Sequence, residues 1–129
     1  MKPLVYKKSK RRPKREPRVR TKMHVTRGDL VIVISGDDKG KRGKVLRAIP
    51  EKNRVIVEGV NIVKRHRKAT QQGEESGIIQ KAAAIAASKV MLIDPKQDRP
   101  TRVRRQVSKD GTLERVSVRS GESIPRSRA

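Results

Sequence analysis

The chain has no cysteine, no phenylalanine and no tryptophan, and its single tyrosine is Tyr6. Without cysteine there is neither a disulfide framework nor a thiolate metal site. The two histidines, His24 and His66, lie far apart without metal-ligand spacing, so no metal or other cofactor is expected. The shortage of aromatic rings removes stacking on aromatic side chains as the main recognition device and disfavours single-strand readers. No apolar run approaches the roughly 20 residues of a membrane span, and the N-terminus lacks the apolar core of a signal peptide, so no membrane partner is expected. Acidic residues are also scarce: 13 Asp and Glu face 35 Lys and Arg, a formal net charge of +22.

What is there is cationic. A chain of 129 residues makes one small domain with tails, and this charge calls for a polyanion. Such charge density disfavours the free folded state by self-repulsion, and phosphates that release counterions on binding offset it. The remaining mode of recognition is phosphate, sugar and shape contact from Arg and Lys, which suits folded RNA or duplex. Residues 1–22 carry Lys7, Lys8, Lys10, Arg11, Arg12, Lys14, Arg15, Arg18, Arg20 and Lys22, with Pro3, Pro13 and Pro17 among them. This reads as a basic arm without a core, ordered only against an anion, with a solvated tail or a nuclear-import-like cluster as the plainer alternative. Ser9 and Thr21 are its only serine and threonine, which argues against an organellar transit peptide and for a cytoplasmic chain.

From Gly28 onward, short runs rich in Val and Ile are separated by Gly, Pro, Asn and Asp, the pattern of consecutive strands. Strands are expected at 30–34, 44–49 and 54–58, with a glycine-punctuated loop over 36–43 and a turn over 50–53. A fourth strand starts in the core: Val60, Ile62 and Lys64 share one face by period two, and Asn61, Val63, Arg65 and Arg67 the other. It runs out into a basic projection that includes Lys68. Ile78 and Ile79 begin its return, making 60–84 a long hairpin with an exposed tip over 71–77, Glu74 and Glu75 included. Residues 81–88 have helical propensity but length for only a short turn of helix. Further strands are expected at 90–93, 101–107 and 113–118, the last two joined at Asp110-Gly111.

The densest signal runs from Gly28 to Leu46, where an aliphatic strand leads into Lys39-Gly40-Lys41-Arg42-Gly43-Lys44-Val45. It resembles the KOW motif. Gly40 and Gly43 would allow positive backbone angles and bring amides to a phosphate, with Lys39, Lys41, Arg42 and Lys44 around the same turn and Ser35 and Gly36 at its entry. The alternative is that the glycines serve turn geometry and the charges solvate an exposed loop. The segment is no phosphate-binding P-loop, since only three residues separate Gly36 from Gly40-Lys41 and Arg42 follows. Asp37-Asp38 lacks the alternating oxygens and distal Glu of a calcium loop and reads as a turn.

Beyond this loop, Glu58-Gly59-Val60-Asn61 before a basic strand, Glu75-Ser76-Gly77-Ile78-Ile79, and Ser88-Lys89-Val90-Met91-Leu92-Ile93-Asp94-Pro95 followed by Pro100-Thr101-Arg102-Val103 resemble the bacterial-type large-subunit ribosomal protein twenty-four family over about residues 23–121. Two features depart from it. Ala86 and Lys89 stand where a His and an Asn are common, and the arm before Met23 is longer than usual.

The resemblance implies a mainly β chain: a small SH3-like β-barrel with a protruding hairpin, a C-terminal β extension and the basic arm. The layout expected is an arm over 1–22, barrel over 23–68, hairpin tip and return over 69–84, extension over 85–121 and flexible tail over 122–129. It also implies direct binding near the 5′ end of large-subunit rRNA, an early assembly role, and a place beside the polypeptide exit tunnel. Neighbouring ribosomal proteins, nascent chains and exit-site factors would be within reach. The expected rRNA contacts are the arm cations Lys7, Lys8, Arg11, Arg12, Arg15, Arg18, Arg20 and Lys22, the loop from Ser35 to Lys44, then Asn61, Lys64, Arg65, Arg67, Lys68, Arg102 and Arg104. A transcription elongation or antitermination factor of the NusG or Spt-five type is the competing function, but 1–22 offers no core for the polymerase-binding domain such factors place before KOW. No nucleophile, base and metal set converges, so neither an enzyme nor a small-molecule substrate is expected.

Overall fold

A computed structural model describes residues 19, 21–68 and 77–126. Ten strands follow in order: β1 Leu30–Val33, β2 Arg42–Ile49, β3 Arg54–Val57, β4 Ile62–Arg67, β5 Gly77–Ala82, β6 Ile85–Ala86, β7 Val90–Ile93, β8 Pro100–Thr101, β9 Val103–Val107 and β10 Leu113–Ser117. Six of them form one sheet in the order β6-β3-β2-β1-β7-β8, and every described pairing is antiparallel. The β4–β5 and β9–β10 hairpins are separate two-stranded sheets.

The fold is the mainly β, SH3-like arrangement expected, but its sheet does not close into a barrel. Its edges are β6 and β8, two residues each, and Pro100 in β8 has no N–H to donate. A register shift at Val45/Arg47 bulges β2, which bends a strand without joining the edges. The sheet also recruits β7 and β8 beside β1, so chain expected in a C-terminal extension builds the main sheet, and only the β9–β10 hairpin stands apart.

Alternation selects the core. Val31 and Val33, Val55 and Val57, and Val45 point one way from their strands and meet Val25, Val60, Val90, Leu92 and Ile124. No buried side chain in this cluster is larger than Leu or Ile, so each contributes only about 1.5–3 kcal/mol. Ile124 lies past residue 121 and is 8% exposed, and its N–H donates to the Arg115 carbonyl, so packed structure extends into the segment expected as a tail.

Backbone geometry modifies three other expectations. Asn61 takes φ +51, so the period-two face does not run through it from Val60; β4 begins at Ile62 with all six residues exposed. The short helical turn allowed within 81–88 is a 3-10 turn at Ala87–Lys89, at the end of that range, because β5 runs to Ala82 and β6 follows. The single strand expected over 101–107 is split at Arg102, β8 pairing with β7 and β9 with β10.

Polar ties supplement the thin core. The Ser117 hydroxyl donates to Asp94 Oδ2 at 2.6 Å and lies 2.9 Å from Thr101 Oγ1, and the Lys96 amide donates to Asp94 Oδ1 at 2.9 Å. The Ser117 hydrogen bond chiefly, with other local donors, holds the Asp94 carboxyl down at about 2. A depressed folded-state pKa gives stability that is full above the unfolded value of 3.8 and is lost as pH falls through about 2. In urea titrations, the stability advantage of the native protein over Asp94→Asn therefore narrows as pH is lowered across that window. A gap that stays constant would show that the carboxylate carries no pH-linked stability.

Candidate nucleic-acid interface

The loop between β1 and β2 is closed by its own backbone. Gly40 donates to the Val33 carbonyl at 2.8 Å, Val33 to Lys41 at 2.9 Å, Lys39 to Gly36 at 3.2 Å and Lys41 to Asp38 at 3.1 Å. Gly36 at φ +101 and Gly40 at φ +88 supply the left-handed turns that make this possible. The amides of Lys39, Gly40 and Lys41 are thus spent within the loop, and its reach toward an anion lies in side chains.

Those side chains are not equivalent. Lys41 Nζ pairs with Asp38 at 2.5 Å, and Arg42 donates to the Asp98 carboxylate at 2.6 Å and to its carbonyl at 3.2 Å. Lys39 and Lys44 are exposed and have no carboxylate partner among the described residues. Gly43 lies in β2 outside the positive-φ region, contrary to the expected turn role. A Cβ there would run into the Glu58 carbonyl oxygen and stand 2.8 Å from Val57 Cγ1, so glycine is required for space.

Asp38 joins this loop to the projecting hairpin. Its Oδ2 accepts the Asn61 amide at 2.7 Å while Oδ1 holds Lys41, and these two contacts, the lysine first, lower its pKa. Asn61 in turn accepts the Ala83 amide at 2.9 Å, closing the root of the β4–β5 ribbon. Register places Ile62, Lys64 and His66 with Ala82, Gln80 and Ile78 on one face, and Val63, Arg65 and Arg67 with Lys81, Ile79 and Gly77 on the other. Both faces are exposed almost throughout, including Ile62 at 56% and Ile78 at 60%.

Of the expected contact residues, the structure brings together Ser35 to Lys44, Asn61, and Lys64, Arg65 and Arg67 of β4 with Lys68 just after it. Arg102 and Arg104 are exposed but adjoin β8, at the opposite end of the sheet from β6 and the hairpin root. Lys22 is exposed at the start of the folded part; Lys7, Lys8, Arg11, Arg12, Arg15, Arg18 and Arg20 lie outside the described residues, as do Glu74 and Glu75. Sequence reasoning passed over Lys81, which sits opposite Val63 on the ribbon, because its alanine-rich context reads as helix. It also passed over Arg54 and Lys89, which the sheet brings beside the loop.

An open basic sheet, a glycine-turned loop between its first two strands and a cationic ribbon rooted on that loop define a KOW-bearing β protein. Residues 27–58 match the KOW motif, and residues 60–124 match the family model described as Large ribosomal subunit protein uL24, C-terminal domain. The Large ribosomal subunit protein uL24 of Macrococcus caseolyticus is 55% identical over 102 residues, covering 79% of this chain and 99% of the relative. That of Moorella thermoacetica is 53% identical over 103 residues, covering 80% and 95%, and that of Geobacillus stearothermophilus is 55% identical over 102 residues, covering 79% and 98%. The chain belongs to the uL24 family of large ribosomal subunit proteins, which are structural constituents and not enzymes.

Proposed function

We propose that this protein binds large-subunit rRNA directly, as a structural constituent of cytoplasmic ribosomes that joins the subunit early in assembly and touches neighbouring ribosomal proteins. The observation that carries this reading is the β4–β5 ribbon. A lone two-stranded hairpin is marginally stable in water, and this one presents cations on both faces and leaves Ile62 and Ile78 uncovered. Its partner must surround it and be negatively charged, which describes folded RNA better than a duplex groove or a flat protein face.

The contacts proposed are Lys39 and Lys44 on the loop, Lys64, Arg65, Arg67, Lys68 and Lys81 on the ribbon, and the arm cations, with Arg102 and Arg104 a separate patch. Family resemblance extends the reading to a site near the 5′ end of the rRNA and the polypeptide exit, where nascent chains and exit-site factors pass.

The test is rRNA affinity against salt, since every phosphate that the protein no longer neutralises flattens the log-log slope by roughly 0.7–0.9. Changing Lys39, Lys41, Arg42 and Lys44 together to Gln leaves the fold intact, because all four are exposed. The slope falls by closer to two phosphates than four, since Lys41 and Arg42 already hold carboxylates. An unchanged slope would put this loop in solvent.

A further inference from the structure

Between the β1–β2 loop, the hairpin root and the β6 edge lies a cleft of about 510 Å³. Its floor is apolar, half-buried Ala84, Ile85 and Ala86 over buried Val33 and Val60, while the side toward the β1–β2 loop is polar. Its mouth carries two exposed cations, Arg54 at the start of β3 and Lys89 after β6. The Lys89 ammonium stands over Gly36, 3.9 Å from where a Cβ would be. The Asp38 to Asn61 hydrogen bond, which ties the loop wall to the hairpin wall, fixes the width of the opening.

We propose that this cleft takes a single nucleotide extruded from folded rRNA, its base against the apolar floor and its phosphate at Lys89. The proposal rests on the rRNA-binding reading and adds a site to it. The volume falls within the range of ordinary ligand pockets, and an apolar floor under a cationic mouth matches a nucleotide, whose two ends differ in the same way. In a chain without Phe or Trp, the guanidinium plane of Arg54 can do the stacking that an aromatic ring does elsewhere. The exposed Asp37 on the rim accepts hydrogen bonds and donates none, so it favours a base carrying an exocyclic amine, guanine, adenine or cytosine, over uracil, and keeps phosphate to the Lys89 side. An RNA strand passing from the β1–β2 loop to the ribbon crosses this mouth, which presents the nucleotide without a detour of the backbone.

The experiment uses the full chain and a transcript of large-subunit rRNA, probed with dimethyl sulfate. The native complex protects one unpaired adenine, cytosine or guanine that Ala84→Phe, which fills the cleft, leaves reactive while the rest of the footprint stays. Ala84→Phe weakens binding roughly 5- to 150-fold, the range for removal of one stacked base. Lys89→Gln, on an exposed side chain that leaves the fold alone, flattens the salt slope by about one phosphate. Should Ala84→Phe fail to fold, Lys89→Gln decides by the same footprint and slope. If the native protein binds but both variants share its affinity, slope and footprint, the cleft is empty in the complex and the proposal falls alone. If the native protein shows no salt-dependent binding to the transcript, the rRNA reading fails and takes this one with it.

Discussion

Asp29→Ala lowers the stability of the fold by about 3–5 kcal/mol, the cost of stripping one partner from a buried ion pair. At roughly 4–8 °C per kcal/mol for a domain of this size, the Tm drops by at least ~12 °C. Arg115 on β10 donates from Nη1 to Asp29 Oδ2 at 2.6 Å and from Nη2 to Oδ1 at 2.9 Å, with both side chains nearly inaccessible at 3% and 2%. The same guanidinium reaches the Pro125 carbonyl at 3.0 Å and the His24 carbonyl at 3.4 Å, so one side chain ties the start of the fold to its last strand and the segment after it. Its Nε already has no partner among the described residues, and removal of Asp29 would leave a buried guanidinium that cannot deprotonate.

The converse substitution is milder. In Arg115→Met, Asp29 keeps the Thr26 amide at 2.7 Å and the Thr26 hydroxyl at 3.0 Å, so the carboxylate left behind is still hydrogen-bonded. The double variant Asp29→Leu, Arg115→Met recovers a large part of the stability, since apolar replacements of a buried pair are often neutral. Urea unfolding of the three variants measures the order directly. A native-like midpoint for Asp29→Ala would mean that the pair contributes nothing.

Gly43→Val is the second large effect, and it acts on stability before it acts on RNA affinity. The new Cβ would meet the Glu58 carbonyl, a backbone atom that cannot swing aside, so β2 and the end of β3 must separate. The Glu58 amide donating to the Lys44 carbonyl at 2.9 Å sits beside that contact and goes with it. Forcing atoms into a filled site costs about 1–3 kcal/mol, and Gly43→Ala carries most of that because the clash is at Cβ itself. Gly40→Ala is the control: it is strained by φ +88 but meets open space, and costs about 1–2 kcal/mol. If Gly43→Ala unfolds at the native urea midpoint, the close approach of the strands is not a constraint.

The contrast between these glycines shows what the sequence could carry. A Lys-Gly-x-x-Gly loop reveals that glycine matters at 40 and 43, but not that one serves a torsion and the other a contact with residue 58, because that contact is set by the bulged pairing of β2 with β3. The strands over 30–34 and 54–58 were legible because Val- and Ile-rich runs between turn residues are a local signal, while the choice of Val31, Val33, Val55 and Val57 as the core face is seen only in the folded sheet. Arg115 was hidden for the opposite reason. Alternation puts it inward with Ser117, but a cation in a basic chain reads as surface until Asp29, far away in sequence, is placed beside it.

Failure to close the sheet and the break at Arg102 follow from which strands find partners, and local pattern does not report that. On the interface, the basic ribbon was legible from Lys64 to Lys68. The neutralisation of Arg42 by Asp98 was not, as it depends on the turn between β7 and β8, where Asp98 takes φ +50, 56 residues away in sequence.

The most direct measurement for the account as a whole is a protein–rRNA crosslinking map of assembled large subunits that contain the full chain. Crosslinks are expected on the loop and both strands of the ribbon, at Lys39, Lys44, Lys64, Lys68 and Lys81, with Lys41 weaker because Asp38 holds it. A map in which these lysines stay unlinked, with rRNA crosslinks confined to the β9–β10 hairpin, would contradict the assignment of the β1–β2 loop and the β4–β5 ribbon as the rRNA-binding surface.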